Sequence, residues 1–486
     1  MHGRGKIVSK RILFVTSELY PYVKTGGLGD VSSSLPLALQ KGGTDIRLFV
    51  PGYPNILKSL SNFIEIASFP VYFGAPDMRI LFGKLSNGMA AYVLKADAFF
   101  DRASPYVDAA GRDWPDNHLR FAAFCRAAAD LYLFDKAWQP DLIHCNDWQT
   151  GLIPAYLSER PGPKPATAMT IHNLAYQGLF PAHVFGQLGL PRNSFAMNGV
   201  EFHGQVGFLK AGLYYADQLT TVSPTYAREI LTPEYGCGLD GLLRSREHNL
   251  SGILNGIDQD VWNPQTDPYL ERRYDSEALR GRDKNKESLL RNFGLNAAPQ
   301  QPLFAVIGRL TPQKGFDLVL DAVPNLLRQN ASVIFMGQGE AGLENRIRDL
   351  AKANPGRVAA HIGYNEVMEH RLHGGADAVI MPSRFEPCGL VQLYSLRYGS
   401  LPIVRRTGGL ADTVINAGMK AFNTSGTGLM FEEANSAVLQ NTLMRTIGLY
   451  RNRRAWRRMQ RNAMAQDFSW TVAAGKYASL YQATAA

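Results

Sequence analysis

Cysteine is scarce in this chain. Four cysteines, Cys125, Cys145, Cys237 and Cys388, stand among 486 residues, and none forms a CxxC pair or a spacing that would hold a metal. That excludes a disulfide-stapled scaffold and a zinc ribbon, and it fits reduced thiols in a cytoplasmic protein. Long apolar runs are missing as well. The basic opening MHGRGKIVSKR leads into apolar residues only from Ile12 to Val15 before Thr16 and Glu18 interrupt, too short for a signal sequence or a membrane span. No tract is of low complexity and no short period repeats. A GxGxxG with an acid ~20 positions further on is absent, which excludes a dinucleotide dehydrogenase. Acidic excess is lacking too, because Lys and Arg total 51 against 42 Asp and Glu, for a net charge of +9. Much of that excess lies in Arg445, Arg451, Arg453, Arg454, Arg457, Arg458 and Arg461, interleaved with Leu449, Trp456 and Met459 at helical spacing. It reads as one solvated helix face and not as a nucleic-acid surface. An anionic small substrate accounts for the remaining positive bias equally well.

What is present is an ordinary globular composition, 45% hydrophobic and 19% charged, in a chain long enough for two or three domains. Short apolar segments at 11–16, 46–50, 141–145, 166–171, 218–222 and 252–254 read as buried strands, with helical patterns such as 31–40 between them. A second series at 303–307, 332–336, 357–362, 376–381 and 401–404 repeats the theme. The expected fold is therefore α/β, with two doubly wound Rossmann-like domains over 1–256 and 257–466. The charged stretch 258–300 reads as a linker with helical pieces. Residues 54–116 are the least regular, an insertion that could overhang a site.

Open α/β sheets bind ligands at the carboxyl ends of their strands, and there the polar motifs lie. KTGGLGD, from Lys24 through Gly26 and Gly27 to Asp30, follows the first strand. Its glycines allow a sharp bend close to a ligand, with the free N–H groups of the next helix facing an anion and Lys24 adding charge. A glycine turn that only packs a helix on the sheet is the plainer reading. Asp147, His172-Asn173 and Asn255-Gly256 end later strands; singly, Asp147 reads as a helix N-cap and His172 as a loop histidine. In the second series Arg309 ends a strand and Lys314 follows before a helix, a pair suited to two phosphate groups or simply to solvent. PSRFEPCGL sets Glu386 at a helix N-terminus, content there even as a mere cap, and Thr407-Gly408-Gly409 makes another glycine turn.

Together, KTGGLGDV, NDWQTGL, TIHNLAYQG, LKAGLYYADQLTTVSPTYAREI, LNGID, GRLTPQKG, PSRFEPCGLVQLYSLRYG and RRTGGLADTV resemble bacterial glycogen synthases and plant starch synthases, from about Arg11 to Tyr481. The resemblance implies the GT-B fold with a catalytic cleft between the domains, an acceptor-side first domain and a nucleotide-sugar-binding second one. It also implies that segment 467–486 packs back on the first. The implied reaction is retaining transfer of glucose from ADP-glucose to the non-reducing end of an α-1,4-glucan such as glycogen, with no metal and no pyridoxal phosphate. Nucleic acid and membrane are not implied as partners.

Carried over by motif, Lys24, Gly26 and Gly27 meet the donor, and Asp30 holds their loop. Arg309 and Lys314 bind the diphosphate, and Glu386 takes glucose hydroxyls. The Cys388-Gly389-Leu390 backbone faces sugar or phosphate, and His172 lies beside the glucose with Asp147 and Asn255 near. Tyr394 follows Glu386 by eight positions where most GT-B families have a second glutamate, and this family shares that substitution.

Three positions depart from the pattern. Phe100 replaces a common Tyr and removes a hydroxyl, Val391 replaces a Thr, and Cys145-Asn146 replaces Ala-His with little expected effect. Other readings are a UDP-glucose-using synthase of the same fold, a glucan phosphorylase, for which no lysine motif for the cofactor is seen, and a non-catalytic glucan or nucleotide-sugar sensor.

Overall fold

Two mainly parallel sheets organise the chain, each serving one of two compact units, Met1–Gly256 with Trp470–Ala486, and Ile257–Ser469. The structure is a computed structural model that describes residues 10–418 and 425–484. The basic opening up to residue 9 lies outside them.

In the first unit β1 (Arg11–Val15), β2 (Asp45–Pro51), β3 (Ser61–Tyr72), β4 (Ala75–Lys84), β5 (Ala90–Lys95), β6 (Leu142–Asn146), β7 (Ala166–Ile171), β8 (Gln218–Thr221) and β9 (Leu250–Gly252) form one sheet. Its order is β9-β8-β7-β6-β1-β2-β5-β4-β3. All neighbours from β9 to β5 are parallel, and the β3–β4 hairpin adds antiparallel strands at one edge. Ile12 to Val15 are fully buried because helices cover both faces. The chain leaves β1 through α1 (Gly27–Lys41) to β2 on one side and later places β6 on the other. The order therefore reverses between β1 and β6, and a crevice opens at their carboxyl ends.

The insertion at 54–116 is thus partly a long hairpin. Its outer strand β3 leaves Phe63, Ile64 and Val71 more than half exposed, with register shifts between Ser61 and Ile64 and between Glu65 and Ala67. The strand expected at 252–254 forms two residues earlier, as β9. Phe100 does not face open space: it is buried among Tyr53, Phe99, Phe121 and Phe124, so a phenylalanine here fills core volume. The C-terminal helix, Trp470–Thr484, belongs to this unit. Trp470, Tyr477 and Tyr481 join its core, and Tyr481 Oη lies 2.7 Å from His144 Nδ1.

The second unit holds six parallel strands in the order β12-β11-β10-β13-β14-β15: β10 (Leu303–Ile307), β11 (Ser332–Gly337), β12 (Val358–Ile362), β13 (Ala378–Met381), β14 (Leu401–Arg405) and β15 (Leu429–Phe431). Here the order reverses between β10 and β13. The stretch expected as a linker, 258–300, is part of this unit. It contains the helix Arg280–Asn292, whose Arg282, Asn285 and Lys286 are buried. Arg282 donates to the carbonyls of His373, Ala376 and Tyr398, and Lys286 to Asp377 and Tyr450. These cations cap buried carbonyls and acids, which is why a core helix looks like solvated linker in composition. The basic face lies on Arg453–Met464, where Trp456 and Met459 point inward and Arg454, Arg458 and Arg461 remain exposed. Among the described residues no helix is long and apolar enough to cross a membrane.

Removing Arg282 withdraws one donor each from the carbonyls of His373, Ala376 and Tyr398, while Tyr274 Oη still reaches Tyr398 O at 2.7 Å and Ser400 Oγ still reaches Ala376 O at 3.0 Å. Arg282→Ala is expected to destabilise the second unit by about 1–3 kcal/mol, read as a lower midpoint in chemical denaturation.

Candidate functional site

At the crevice of the first sheet the loop after β1 is held by an acid that the motif reading passed over. Glu18 is buried. Its Oε2 accepts the N–H of Thr25 at 2.8 Å and of Gly26 at 3.3 Å, and its Oε1 accepts Thr25 Oγ1 at 2.5 Å and Tyr106 Oη at 2.9 Å. The N–H groups of Thr25 and Gly26 are therefore occupied, not free for an anion. Gly26 is extended, with φ −160°, so no left-handed bend demands glycine there. A Cβ at this position would meet no atom within 4 Å, so the space before it is open. Gly27 begins α1, whose first-turn N–H groups have no helical acceptor. Lys24 Nζ pairs with Asp30 Oδ1 at 2.8 Å. Tyr106, from the 101–116 loop, also meets Ser17 Oγ at 2.7 Å, so part of the insertion does return to this loop.

Next to it, β6 delivers Asn146 and Asp147. Asp147 has φ +57° and ψ −176°, a conformation that glycine occupies readily and aspartate at a cost. It precedes a short helical turn, but its side chain caps nothing in it. Instead Oδ1 accepts the N–H of His172 at 2.7 Å and of Asn173 at 3.4 Å. Burial pushes its carboxyl up to about 7, the two N–H donors pull it back in part, and nearby Glu18 raises it further.

His172 follows β7, and Asn146 Oδ1 lies 2.9 Å from its Nε2, so the Cys145-Asn146 departure does reach the site. Burial holds the imidazoles of both His172 and His144 down at about 3, leaving them neutral at physiological pH. The structure thus brings Asp147 and His172 together. Asn255 is buried beyond β9, and its Oδ1 has no hydrogen-bond partner among the described residues, an orphan acceptor that a ligand hydroxyl would satisfy.

At the crevice of the second sheet, Arg309 follows β10 and is exposed, while Lys314 ends a short turn, Pro312–Lys314. Contrary to expectation, Glu386 does not begin a helix: the helix after it is Val391–Tyr398, five residues further on. The carboxylate is instead paired, with Oε2 2.5 Å from Lys314 Nζ and accepting Ser383 Oγ at 2.9 Å. Its Oε1 accepts no hydrogen bond among the described residues.

The loop that follows is locked against the glycine turn at Gly408–Thr413. Gly409 N donates to Glu386 O at 3.0 Å, and a Cβ on Gly408, where φ is +44°, would lie 1.9 Å from that same oxygen. Only glycine fits. Cys388 is buried and in no disulfide, Gly389 has φ +73°, and Leu390 packs beside Tyr394 and Trp262. Gln392, unremarked in the sequence, donates through Nε2 to the carbonyls of Cys388 and Gly389, both at 2.9 Å. Val391 opens its helix half-buried against apolar neighbours, with no polar role. A glutamate after a strand and a glutamine at the second position of a helix were the signals available for Glu18 and Gln392; their partners were not.

Known proteins resemble this chain along nearly its whole length. The starch synthase catalytic domain family matches residues 11–245, and glycosyl transferases group 1 matches residues 291–463. Glycogen synthase 2 of Bradyrhizobium diazoefficiens is 48% identical over 97% of this chain and 98% of its own length. The glycogen synthase of Aromatoleum aromaticum is 46% identical over 99% of each. The catalytic domain of starch synthase IV from Arabidopsis thaliana, solved bound to ADP and acarbose, superposes with a TM-score of 0.89 at 31% identity, covering 98% of this chain and 99% of that one.

The raised Asp147 carboxyl has a signed consequence. Between about pH 4, where a free aspartate ionises, and about 7, where this one does, the folded protein binds more protons than the unfolded chain. Stability therefore falls as pH rises through that window. Asp147→Asn removes the effect, so the variant is expected to gain on wild type from about pH 4 to 7 and to run parallel above. Denaturant midpoints of the two proteins across pH check this; a flat difference contradicts it.

Proposed function

The chain belongs to the family of glycogen and starch synthases, glycosyltransferases of the GT-B fold, and from that premise we propose how its residues divide the work. The donor is ADP-glucose and the acceptor the non-reducing end of an α-1,4-glucan, with retention at the anomeric carbon. This reading is supported by full-length likeness to glycogen synthases and by the starch synthase structure with ADP. Unit Met1–Gly256 with the C-terminal helix supplies the acceptor-side groups, and unit Ile257–Ser469 the nucleotide-sugar groups. The protein works in the cytoplasm.

One observation carries the assignment: the Lys314–Glu386 pair at the point where the second sheet's order reverses. Breaking the bond from C1 to phosphate leaves an oxocarbenium-like sugar and a diphosphate whose charge grows in the transition state. Cations already in place stabilise what develops, a term of roughly 10²–10³ in rate for a single donor. Arg309 and Lys314 fill that role, with no metal or other cofactor in the step. Glu386 has one oxygen anchored by Lys314 and Ser383 and the other unpartnered, which suits it to a glucose hydroxyl. Lys24, Gly26, Gly27 and Asp30 border the donor, Asn255 offers its orphan oxygen, and the Cys388-Gly389-Leu390 backbone faces sugar or phosphate.

Retention through a double displacement would need a carboxylate nucleophile. Glu386 is anchored, and Asp147 is engaged with two backbone N–H groups. The acceptor therefore attacks on the face the diphosphate leaves, and the departing phosphate oxygen takes the acceptor's proton. Trapping a glucosyl adduct on either carboxylate would overturn this.

ADP release from ADP-glucose with glycogen present tests the activity, and competition with UDP-glucose is expected to favour the adenine donor. Arg309→Ala and Lys314→Ala are each expected to lose about 1.5–3 kcal/mol or more of transition-state stabilisation in kcat/KM. Near-wild-type turnover in both, with folding confirmed by circular dichroism, rules out the diphosphate role.

A further inference from the structure

His172 has a ring nitrogen, Nδ1, that makes no hydrogen bond among the described residues, and the cause lies one residue before Asp147. Asn146 ends β6 and is fully buried. Its Nδ2 donates to Val15 O at 3.0 Å and to His144 O at 3.4 Å. Carbonyl oxygens only accept, so the amide has a single orientation and its Oδ1 must be the atom turned toward His172 Nε2, 2.9 Å away. That oxygen in turn only accepts, so Nε2 carries the hydrogen. The backbone N–H of His172 is tied at the same time to Asp147 Oδ1, which seats the residue. A neutral imidazole has one hydrogen to place, and with Nε2 holding it, Nδ1 presents a lone pair.

We propose that Asn146 is a positioning residue for glucosyl transfer: by holding His172 as its Nε2–H tautomer, it makes Nδ1 an acceptor for a sugar hydroxyl. His172 then orients substrate and has no proton to give to the reaction. The inference rests on the glucosyl-transfer reading above, but its structural half is independent of it. The titratable groups around the ring leave this arrangement intact. Asp147 contacts the backbone N–H of His172, Glu18 acts on Asp147 through space, and His144, on β6, is itself neutral.

The test uses the full chain labelled with ¹⁵N-histidine and no substrate. Wild type is expected to show His172 protonated at Nε2 and bare at Nδ1 between about pH 5 and 8; a hydrogen on Nδ1, or an imidazolium, overturns the proposal. Asn146→Asp puts a carboxylate beside Nε2 and is expected to raise the His172 titration by about one unit or more. An unmoved titration overturns the contact. Asn146→Leu is expected to lower kcat roughly ten-fold, equivalent to about 1.4 kcal/mol, while the donor KM changes little; unaltered kcat overturns the positioning role. Should that variant fail to fold, the wild-type spectrum and the Asn146→Asp titration still decide. If wild type releases no nucleoside diphosphate from any nucleotide sugar with glycogen, the transfer reading fails while the tautomer result stands by itself.

Discussion

A lysine ammonium held 2.5 Å from a buried carboxylate decides the character of the second unit. The Glu386 carboxylate would not be stable alone at that depth, since removing water from an ion costs several kcal/mol unless a partner and further hydrogen bonds compensate, and the half-buried Lys314 supplies that partner. Each therefore dictates the other's place, and the loops bearing them are fitted accordingly. Ser383 reinforces the carboxylate, the Gly408 turn closes on the carbonyl of Glu386, and Gln392 gathers the next two carbonyls. A phosphate arriving at Lys314 would meet a cation already held in place and partly dried, so little reorganisation remains for the reaction.

The first unit solves a different problem. Its crevice contains little net positive charge: Lys24 is matched by Asp30, and Glu18 spends its oxygens on the loop itself. What it offers is hydrogen-bonding capacity, through a neutral histidine, an orphan amide oxygen on Asn255 and an aspartate held in a conformation that costs of order 1–3 kcal/mol. Such groups suit hydroxyl-rich, uncharged molecules. On the reading proposed above, the cationic groups of one unit would serve a nucleotide sugar and the polar, neutral ones of the other a glucan.

Much of this was legible in the sequence, for a physical reason. Strands buried on both faces are near-continuous apolar runs, so β1, β6, β7, β10, β11 and β13 stood out, and the polar residues just past them marked the crevices. The β3–β4 hairpin was not legible because only one face is covered and its register shifts break the alternation. The helix Arg280–Asn292 was misread because its buried Arg282 and Lys286 look solvated until their carbonyl and carboxylate partners are seen. The helix expected at Glu386 failed because Pro387 and Gly389 prolong the turn. Glu18 and Tyr106 are 88 residues apart in sequence, and no local pattern announces a bond of that span.

The hairpin has one more consequence. Its outer strand offers unpaired backbone and exposed phenylalanine, isoleucine and valine, the makings of a template onto which another polypeptide could add. The two breaks in its register twist and kink that margin, so it cannot present a long flat ladder. The irregularity that hid the hairpin from sequence reading thereby helps keep the protein from sticking to itself.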